Sequence, residues 1–444
     1  MTSHAKIIVL DDDPTGSQTV HSCLLLMQWD VETLRLGLRD EVPIFFVLTN
    51  TRALTPEKAA QVTREVCQNL KLALAAENIT EFLIVSRSDS TLRGHYPIET
   101  DAIAEELGDF DAHFLIPAFF EGGRVTRDSV HYLMINGTPT PVHETEFAKD
   151  SVFGYHHSYL PDYVEEKTQG KIKANEVKRF LLNDIRQDCL PELLTLKNNQ
   201  CAVVDGEVQT DLDQFAQAVL TAADHGKRFL FRSAASILTS LAQLDKQPLA
   251  PEAMAQYKPT DKTGVVLVGS HVKKTTEQLN NLLQEPDVVG VEIDVTRLRD
   301  FPETRDQILS ETLEKINQIR QGNQTPVIYT SRQELAFDTI QKRLDFGVAV
   351  SALLMDIVQS LPKDIGFLIS KGGITSNDVL STGLSLRSAR LLGQILPGCS
   401  MVTTAADHLL FPHLPVVLFP GNVGDAQGLA TVYRRLNPLE ISNR

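Results

Sequence analysis

Short runs that are apolar at nearly every position, separated by helical patterns, constrain this chain more than any other feature. The first half carries them at Ile7–Leu10, Ile44–Leu48, Phe82–Val85, Phe114–Ile116, Ala202–Val204 and Arg228–Phe231, with helices expected at Thr55–Ala75, Ile98–Leu107 and Leu212–Ala223. A strand without polar alternation is buried on both faces, which calls for a parallel sheet covered by helices on each side. The segment Asp245–Thr263 breaks this rhythm with three prolines and little apolar pattern. Beyond it the rhythm resumes, with strands expected at Val265–Val268, Val289–Ile293, Val327–Tyr329, Phe367–Ile369 and Val416–Phe419. Helices are expected between them at about Lys273–Leu283, Thr304–Arg320, Arg332–Gln359 and Asp425–Arg435. The expected architecture is α/β: two α/β domains with mainly parallel sheets and a cleft between them. Residues 1–248 form the N-terminal domain, 249–263 a linker and 264–444 the C-terminal domain, in keeping with roughly 100–200 residues per domain. A His-, Tyr- and Pro-rich segment from Thr138 to Asn175 lacks a clean period and reads as an excursion over the first sheet.

Composition narrows the function. With 42 Lys and Arg against 57 Asp and Glu, the formal charge of −15 disfavours nucleic acid and anionic membranes as partners. An anionic small molecule stays open, because local arginines and backbone N–H groups outweigh a global field inside a cleft. The five cysteines, Cys23, Cys67, Cys189, Cys201 and Cys399, are scattered without a C-x-x-C pair. That spacing speaks against a disulfide framework and a zinc site and for a reducing cytoplasm. The N-terminus lacks the pattern of a signal peptide, and no uncharged apolar stretch approaches the roughly 18 residues that span a bilayer.

Ligands of open α/β sheets bind beyond the carboxyl ends of strands, so the residues after each apolar run carry the chemistry. Asp11, Asp12 and Asp13 follow the first run and lead into Pro14-Thr15-Gly16. Three adjacent carboxylates could hold a metal, accept substrate hydroxyls or supply a general base; the plain alternative is an N-capping aspartate and a turn. After the third run come Ser86, Arg87, Ser88, Asp89, Ser90, Thr91, Leu92, Arg93, Gly94 and His95. Guanidinium forks grip a carboxylate while Asp and Ser take hydroxyls, which suits a carboxylated polyol; a loop of helix caps is the bland alternative. Arg52, after another strand, could join that anion site. In the C-terminal half, Gly269-Ser270, Gly372-Gly373-Ile374-Thr375 and Pro420-Gly421-Asn422 are small-residue turns after strands, where backbone N–H groups approach phosphates. None of these turns has the P-loop or dinucleotide-fingerprint spacing. His131 could reach a cleft, and His156-His157 reads as structural.

At these residues the sequence resembles the four-carbon acid sugar kinase family. The resemblance rests on Asp12–Gly16, Asp89–Gly94, Gly269-Ser270, Lys371–Thr375 and Pro420–Asn422, which occur in order along nearly the whole chain. It implies an ATP-dependent carbohydrate-acid kinase, a phosphotransferase with an alcohol acceptor, built from a sugar-acid domain and a nucleotide domain. It further implies that Asp12, Arg52, Ser88, Asp89 and Ser90 contact a small sugar acid, to which the guanidinium chemistry adds Arg87 and Arg93. Ser270, Gly372, Gly373, Ile374, Thr375 and Gly421 would contact ATP carrying Mg2+, and Asn422 in the same turn joins them. The catalytic base falls to Asp12 or Asp13, with Asp425 and His95 next, and the metal ligands stay open. Ile374 stands where the family often has an acidic residue, and Asp11 where it has alanine. Closure between two domains would expel water from the transfer step. A homodimer is compatible with this reading. Two other functions compete: a haloacid dehalogenase-type phosphatase using Asp11 and Asp13, and a non-catalytic sugar-acid-binding protein.

Overall fold

The computed structural model describes residues 5–332, 335–421 and 423–438, the side chain of Ile340 excepted. The chain divides into two compact units, Met1–Lys246 and Gln247–Arg444.

In the first unit the strands are β1 (Lys6–Asp11), β2 (Leu24–Leu26), β3 (Ile44–Leu48), β4 (Phe82–Arg87), β5 (Ala112–Ile116), β6 (Arg124–Arg127), β7 (Val130–Ile135), β8 (Thr138–Pro141), β9 (Lys178–Phe180), β10 (Gln200–Val204) and β11 (Phe229–Ser233). Eight of them line up as β2-β3-β1-β4-β11-β5-β10-β9, every pair parallel. Burial on both faces explains the unbroken apolar runs: Ile7, Ile8, Val9, Phe45, Phe46, Ile84 and Phe231 are all buried. The helix Pro56–Glu77 starts where Thr55 caps it ahead of a first-turn proline and ends at the left-handed Asn78, so turn chemistry sets both ends. Phe114 anchors one layer of the core, with the Phe180, Phe215, Phe229 and Phe231 rings 5.2–6.0 Å from its own. After β3 the chain crosses over β1 to lay down β4 on its other side. The crevice therefore opens at the carboxyl ends of β1 and β4.

The expected excursion is more ordered than its sequence suggests. It opens with β8, which joins the preceding β6 and β7 in a separate antiparallel sheet, and continues to a helix at Leu160–Lys167. His156 and His157 lie exposed beside Glu166, in keeping with a structural role.

The second unit has β12 (Val265–Val268), β13 (Val288–Ile293), β14 (Thr325–Thr330), β15 (Leu368–Lys371), β16 (Ser388–Leu396), β17 (Cys399–Thr403) and β18 (Pro415–Phe419). Their order is β13-β14-β12-β15-β18-β17-β16, parallel as far as β18 and antiparallel through β17 and β16. The switch in direction again falls beside the unit's first strand, between β12 and β15. The stretch 249–263 contains a 3-10 turn, Pro251–Tyr257, whose Met254 is fully buried in this unit's core. The helix expected from Arg332 begins only at Ile340, capped by Thr339, and the one expected from Asp425 begins at Gly428. All five cysteines are buried, and none is paired in a disulfide. Among the described residues no helix is long and apolar enough to cross a membrane.

Candidate functional site

In the first unit the parallel register sets Asp11, Arg87 and Ser233 side by side at the ends of β1, β4 and β11. Asp11 is fully buried, its carboxyl against the Cα of Gly16, where any β-carbon would overlap it. Burial pushes this carboxyl up to about 8, against the pull of Arg87, so it carries a proton near neutrality. The phosphatase alternative needs an accessible nucleophile here, and Asp11 is fully buried.

Asp12 is the centre of a connected polar network. Arg52 grips it through two bonds, Nη2 to Oδ1 at 2.5 Å and Nε to Oδ2 at 3.2 Å, and reaches Asp13 Oδ2 at 3.3 Å. The Ser88 hydroxyl donates to Asp12 Oδ2 at 2.6 Å and accepts from Arg232 Nη2 at 2.7 Å. Arg232 is itself tied to Glu99 at 2.6 Å, and Glu99 accepts from Thr51 at 2.5 Å. Both members of the Arg232–Glu99 pair are buried, so either alone would leave an uncompensated charge. Asp13 is the more open carboxylate, its side chain 23% exposed against 2% for Asp12. Burial acts to raise its pKa, but Arg52, Arg87 and bonds from Thr15 outweigh it and hold it below the usual carboxylate range.

The loop after β4 is fixed from behind. His131 Nε2–H donates to the Ser90 carbonyl at 2.8 Å, Tyr155 to that of Thr91 at 2.7 Å and Tyr163 to that of Leu92 at 2.8 Å. Two of these donors, Tyr155 and Tyr163, come from the segment that the sequence left irregular, and His131, on β7 just before it, is a buried brace rather than a cleft residue. Burial takes His131 down to about 4, so it stays neutral, with Nδ1 facing the Thr126 hydroxyl at 2.9 Å. Gly94, at φ +127°, lets the loop pass over Ser88 and Arg232. In front, Asp89 holds Arg93 at 2.8 Å, and Arg93 lies over the Phe147 ring. Burial would raise the Asp89 pKa, but Arg52 and Arg93 hold it far below the usual range.

Of the expected substrate ligands, the structure places Asp12, Arg52, Asp89 and Arg93 in this cluster. Arg87 and Ser90 are buried, and the Ser88 hydroxyl is already engaged. Arg124 joins unannounced by the sequence: it feels the charges of Asp89 and Arg93, and its buried Nε has no hydrogen-bond partner. Asp12, Asp13, Asp89 and Asp150, which Arg93 Nη1 approaches at 3.9 Å, balance Arg52, Arg87, Arg93 and Arg124. The void between the loop and β11 is only about 10 Å3, room for one water at most.

In the second unit a pocket of about 440 Å3 opens at the β12–β15 switch. Gly269 and Ser270 form one edge, Gly372, Gly373, Ile374 and Thr375 another. The two edges touch: a β-carbon on Gly269 would overlap Thr375 Oγ1, and one on Gly372 would come 3.0 Å from the Ser270 Cβ. The opposite wall is apolar, with Phe337, Phe346, Val350, Leu354 and Met355, and Asp378 bonded to Ser351 adds a polar point. A small set of polar groups in an apolar cavity of this volume suits a drug-sized ligand with a flat apolar part and a polar tail. Gly421 sits next to Ser270, its built β-carbon 3.8 Å from Ser270 Oγ, while Asn422 lies outside the described residues. Among the described residues, no group of three or more His, Cys, Asp or Glu side chains could hold a metal ion.

Residues 7–241 match the family described as a sugar-binding N-terminal domain, and residues 265–429 the one described as a nucleotide-binding C-terminal domain. The chain belongs to the four-carbon acid sugar kinase family. Family relatives include a D-erythronate kinase of Heliobacterium modesticaldum, 23% identical with 96% of each chain covered. A 3-oxo-tetronate kinase of Pectobacterium atrosepticum is 24% identical over 95% of this chain and 96% of the relative. The same fold occurs in a Salmonella typhimurium LT2 structure, with TM-score 0.71, 19% identity and 98% and 99% coverage. A Haemophilus influenzae structure shares it too, with TM-score 0.67, 19% identity and 97% and 100% coverage.

Proposed function

We propose that this protein is a kinase that transfers the γ-phosphoryl group of ATP to a hydroxyl of a four-carbon or similarly short sugar acid. The names of the two relatives support the sugar-acid and kinase parts of this reading. The observation that carries it is the arginine-rich cluster at the β1–β4 crevice, where Arg124, close enough to Asp89 and Arg93 to feel both charges, keeps an unsatisfied buried Nε. A substrate carboxylate supplies the missing acceptor.

In this reading Arg124 and Arg93 orient the carboxylate, and Asp12, locked by Arg52 and Ser88, orients the hydroxyl to be phosphorylated. Asp13 accepts its proton at Oδ2 as the oxygen–phosphorus bond forms and the bond to the ADP leaving group breaks. A carboxylate held below its usual pKa is a weak base. Phosphoryl transfer through a loose transition state asks chiefly for positioning and charge stabilisation, so a weak base suffices. The nucleotide base enters the apolar wall of the second unit, and the phosphates lie along the turns of Ser270, Gly372–Thr375 and Gly421. Mg2+ belongs to this reading as the ion carried on the ATP phosphates, where it neutralises charge. The described residues build no cage for it, and no step here is routed through it.

Phosphorus NMR of the protein with ATP and D-erythronate or a related tetronate tests the assignment. A new phosphomonoester signal on the acid is the expected result. Release of inorganic phosphate from a phosphorylated acid without ATP would instead favour the phosphatase.

A further inference from the structure

We propose that Lys371 is the positioning residue of the phosphate site in the second unit, its buried ammonium fixing the Pro420–Gly421 turn and placing a positive charge behind it. The proposal rests on the nucleotide-binding reading above and adds to it a residue whose side chain touches no ligand.

Lys371 is the last residue of β15 and its side chain is fully buried, a rare fate for lysine. Nζ donates to the Pro420 carbonyl at 2.6 Å and to the Gly421 carbonyl at 3.1 Å, and it lies 4.2 Å from the centre of the Phe419 ring. The N–H and C=O of a trans peptide point to opposite sides. Holding the Pro420 carbonyl on Lys371 therefore turns the Gly421 N–H away from the ammonium. The rest of the turn is held in the same way: Gln278 donates to the Val423 carbonyl at 3.0 Å and to that of Asp425 at 2.7 Å. Thr275 bridges the Gly421 carbonyl and Ser270 Oγ, at 3.4 and 3.3 Å, and so ties this turn to the pocket edge. The Pro420 carbonyl drawn back onto a buried ammonium leaves the Gly421 N–H directed the other way, as an anion-facing turn requires.

The charge has its own consequence. Burial pushes the ammonium down to about 7, with Cys399 on β17 drawing it up and Lys274 on the helix Lys273–Leu282 repelling it further. A neutral amine keeps two N–H bonds, so both carbonyls stay held after deprotonation and only the charge is lost. Phosphates arriving above the turn favour the protonated form. Nucleotide binding should then draw a proton onto Lys371.

The test is calorimetric titration of ADP at pH 8 in buffers of different ionisation enthalpy, followed by affinities from pH 7 to 9. The wild-type protein should take up a substantial fraction of one proton. Its affinity should weaken with rising pH by at most about tenfold per pH unit. Lys371→Gln keeps donors without charge and should show no uptake and a flat profile. Lys371→Met should bind ADP at least as weakly as Lys371→Gln while both keep their affinity for the sugar acid. Absent proton uptake in the wild type overturns the proposal without any variant. So does a Lys371→Gln protein whose affinity and pH profile match the wild type, or variants that lose both ligands together. If the wild-type protein binds no adenine nucleotide at all, the nucleotide reading itself fails, a result distinct from all of these.

Discussion

Ser88 donates its hydroxyl to Asp12 at 2.6 Å, so the two strand ends β1 and β4 are joined by a side chain that also receives Arg232. Gly94 passes directly over this junction at φ +127°, and a β-carbon there would overlap Ser88 Oγ and come 2.5 Å from Arg232 Nη2. Gly94→Ala should therefore destabilise the first unit by about 1–3 kcal/mol, from backbone strain and a displaced buried network. Urea unfolding checks this, and sugar-acid affinity should fall with it.

The division of labour between two neighbouring aspartates gives the second prediction. Asp13→Asn removes the proton acceptor and should lower kcat on the order of 10²–10⁴-fold with little change in KM for the acid. Asp12→Asn breaks the Arg52 and Ser88 contacts and should raise KM as well. If both variants keep near-normal kcat, the base lies elsewhere.

These aspartates were legible because a buried apolar run leads straight into them, as Phe82–Val85 leads into the Arg87–Arg93 loop. The three side chains that hold that loop were not: Tyr155 and Tyr163 lie in a segment with no period, His131 lies on β7 just before it, and all three meet the loop only in three dimensions. The pocket wall was hidden for another reason: Phe346, Val350 and Leu354 follow helical spacing, which reads equally well as a face packed on the core. In the hairpin Ser388–Thr403 the alternation of Ser388–Leu391 breaks at the register shift after Leu391, leaving a run too short to mark an antiparallel pair. Arg232 and Lys371 carried a usable signal, a charge inside or at the end of a buried run, since such a charge must be paired.

Arg124→Met should weaken sugar-acid binding by roughly 1.5–3 kcal/mol, the range for a hydrogen bond to a charged group, and leave nucleotide affinity in place. Steady-state kinetics with a tetronate and titration with ADP separate the two. Equal KM for mutant and wild type would remove Arg124 from the site.

Asp11 makes stability depend on pH in an unusual direction. Its folded pKa, about 8, lies above the roughly 4 of an unfolded aspartate. Its contribution is therefore fully present below about pH 4 and is lost as pH rises toward 8, at a slope of at most about 1.4 kcal/mol per pH unit. Asp11→Asn, which mimics the protonated form, should flatten this decline in urea unfolding at pH 5, 7 and 9. A variant whose stability falls as steeply as the wild type would show that Asp11 is ionised in the folded protein.

In the second unit Gly269→Ala should drive the two pocket edges apart, because its β-carbon would overlap Thr375 Oγ1. Nucleotide affinity should drop about tenfold or more, the equivalent of roughly 1–3 kcal/mol of misfit, while sugar-acid binding is retained. Titration of each ligand in turn checks it.

A carboxylated polyol, and not a neutral one, should receive the phosphoryl group. A coupled assay of ADP release from ATP, run over four-carbon sugar acids and their matching tetritols, decides this. Turnover of at least one acid, with the matching tetritol slower by about 10²-fold or more for want of its charge-assisted contacts, is the predicted result. Equal turnover of acid and tetritol, or no ADP release with any acid, would contradict it.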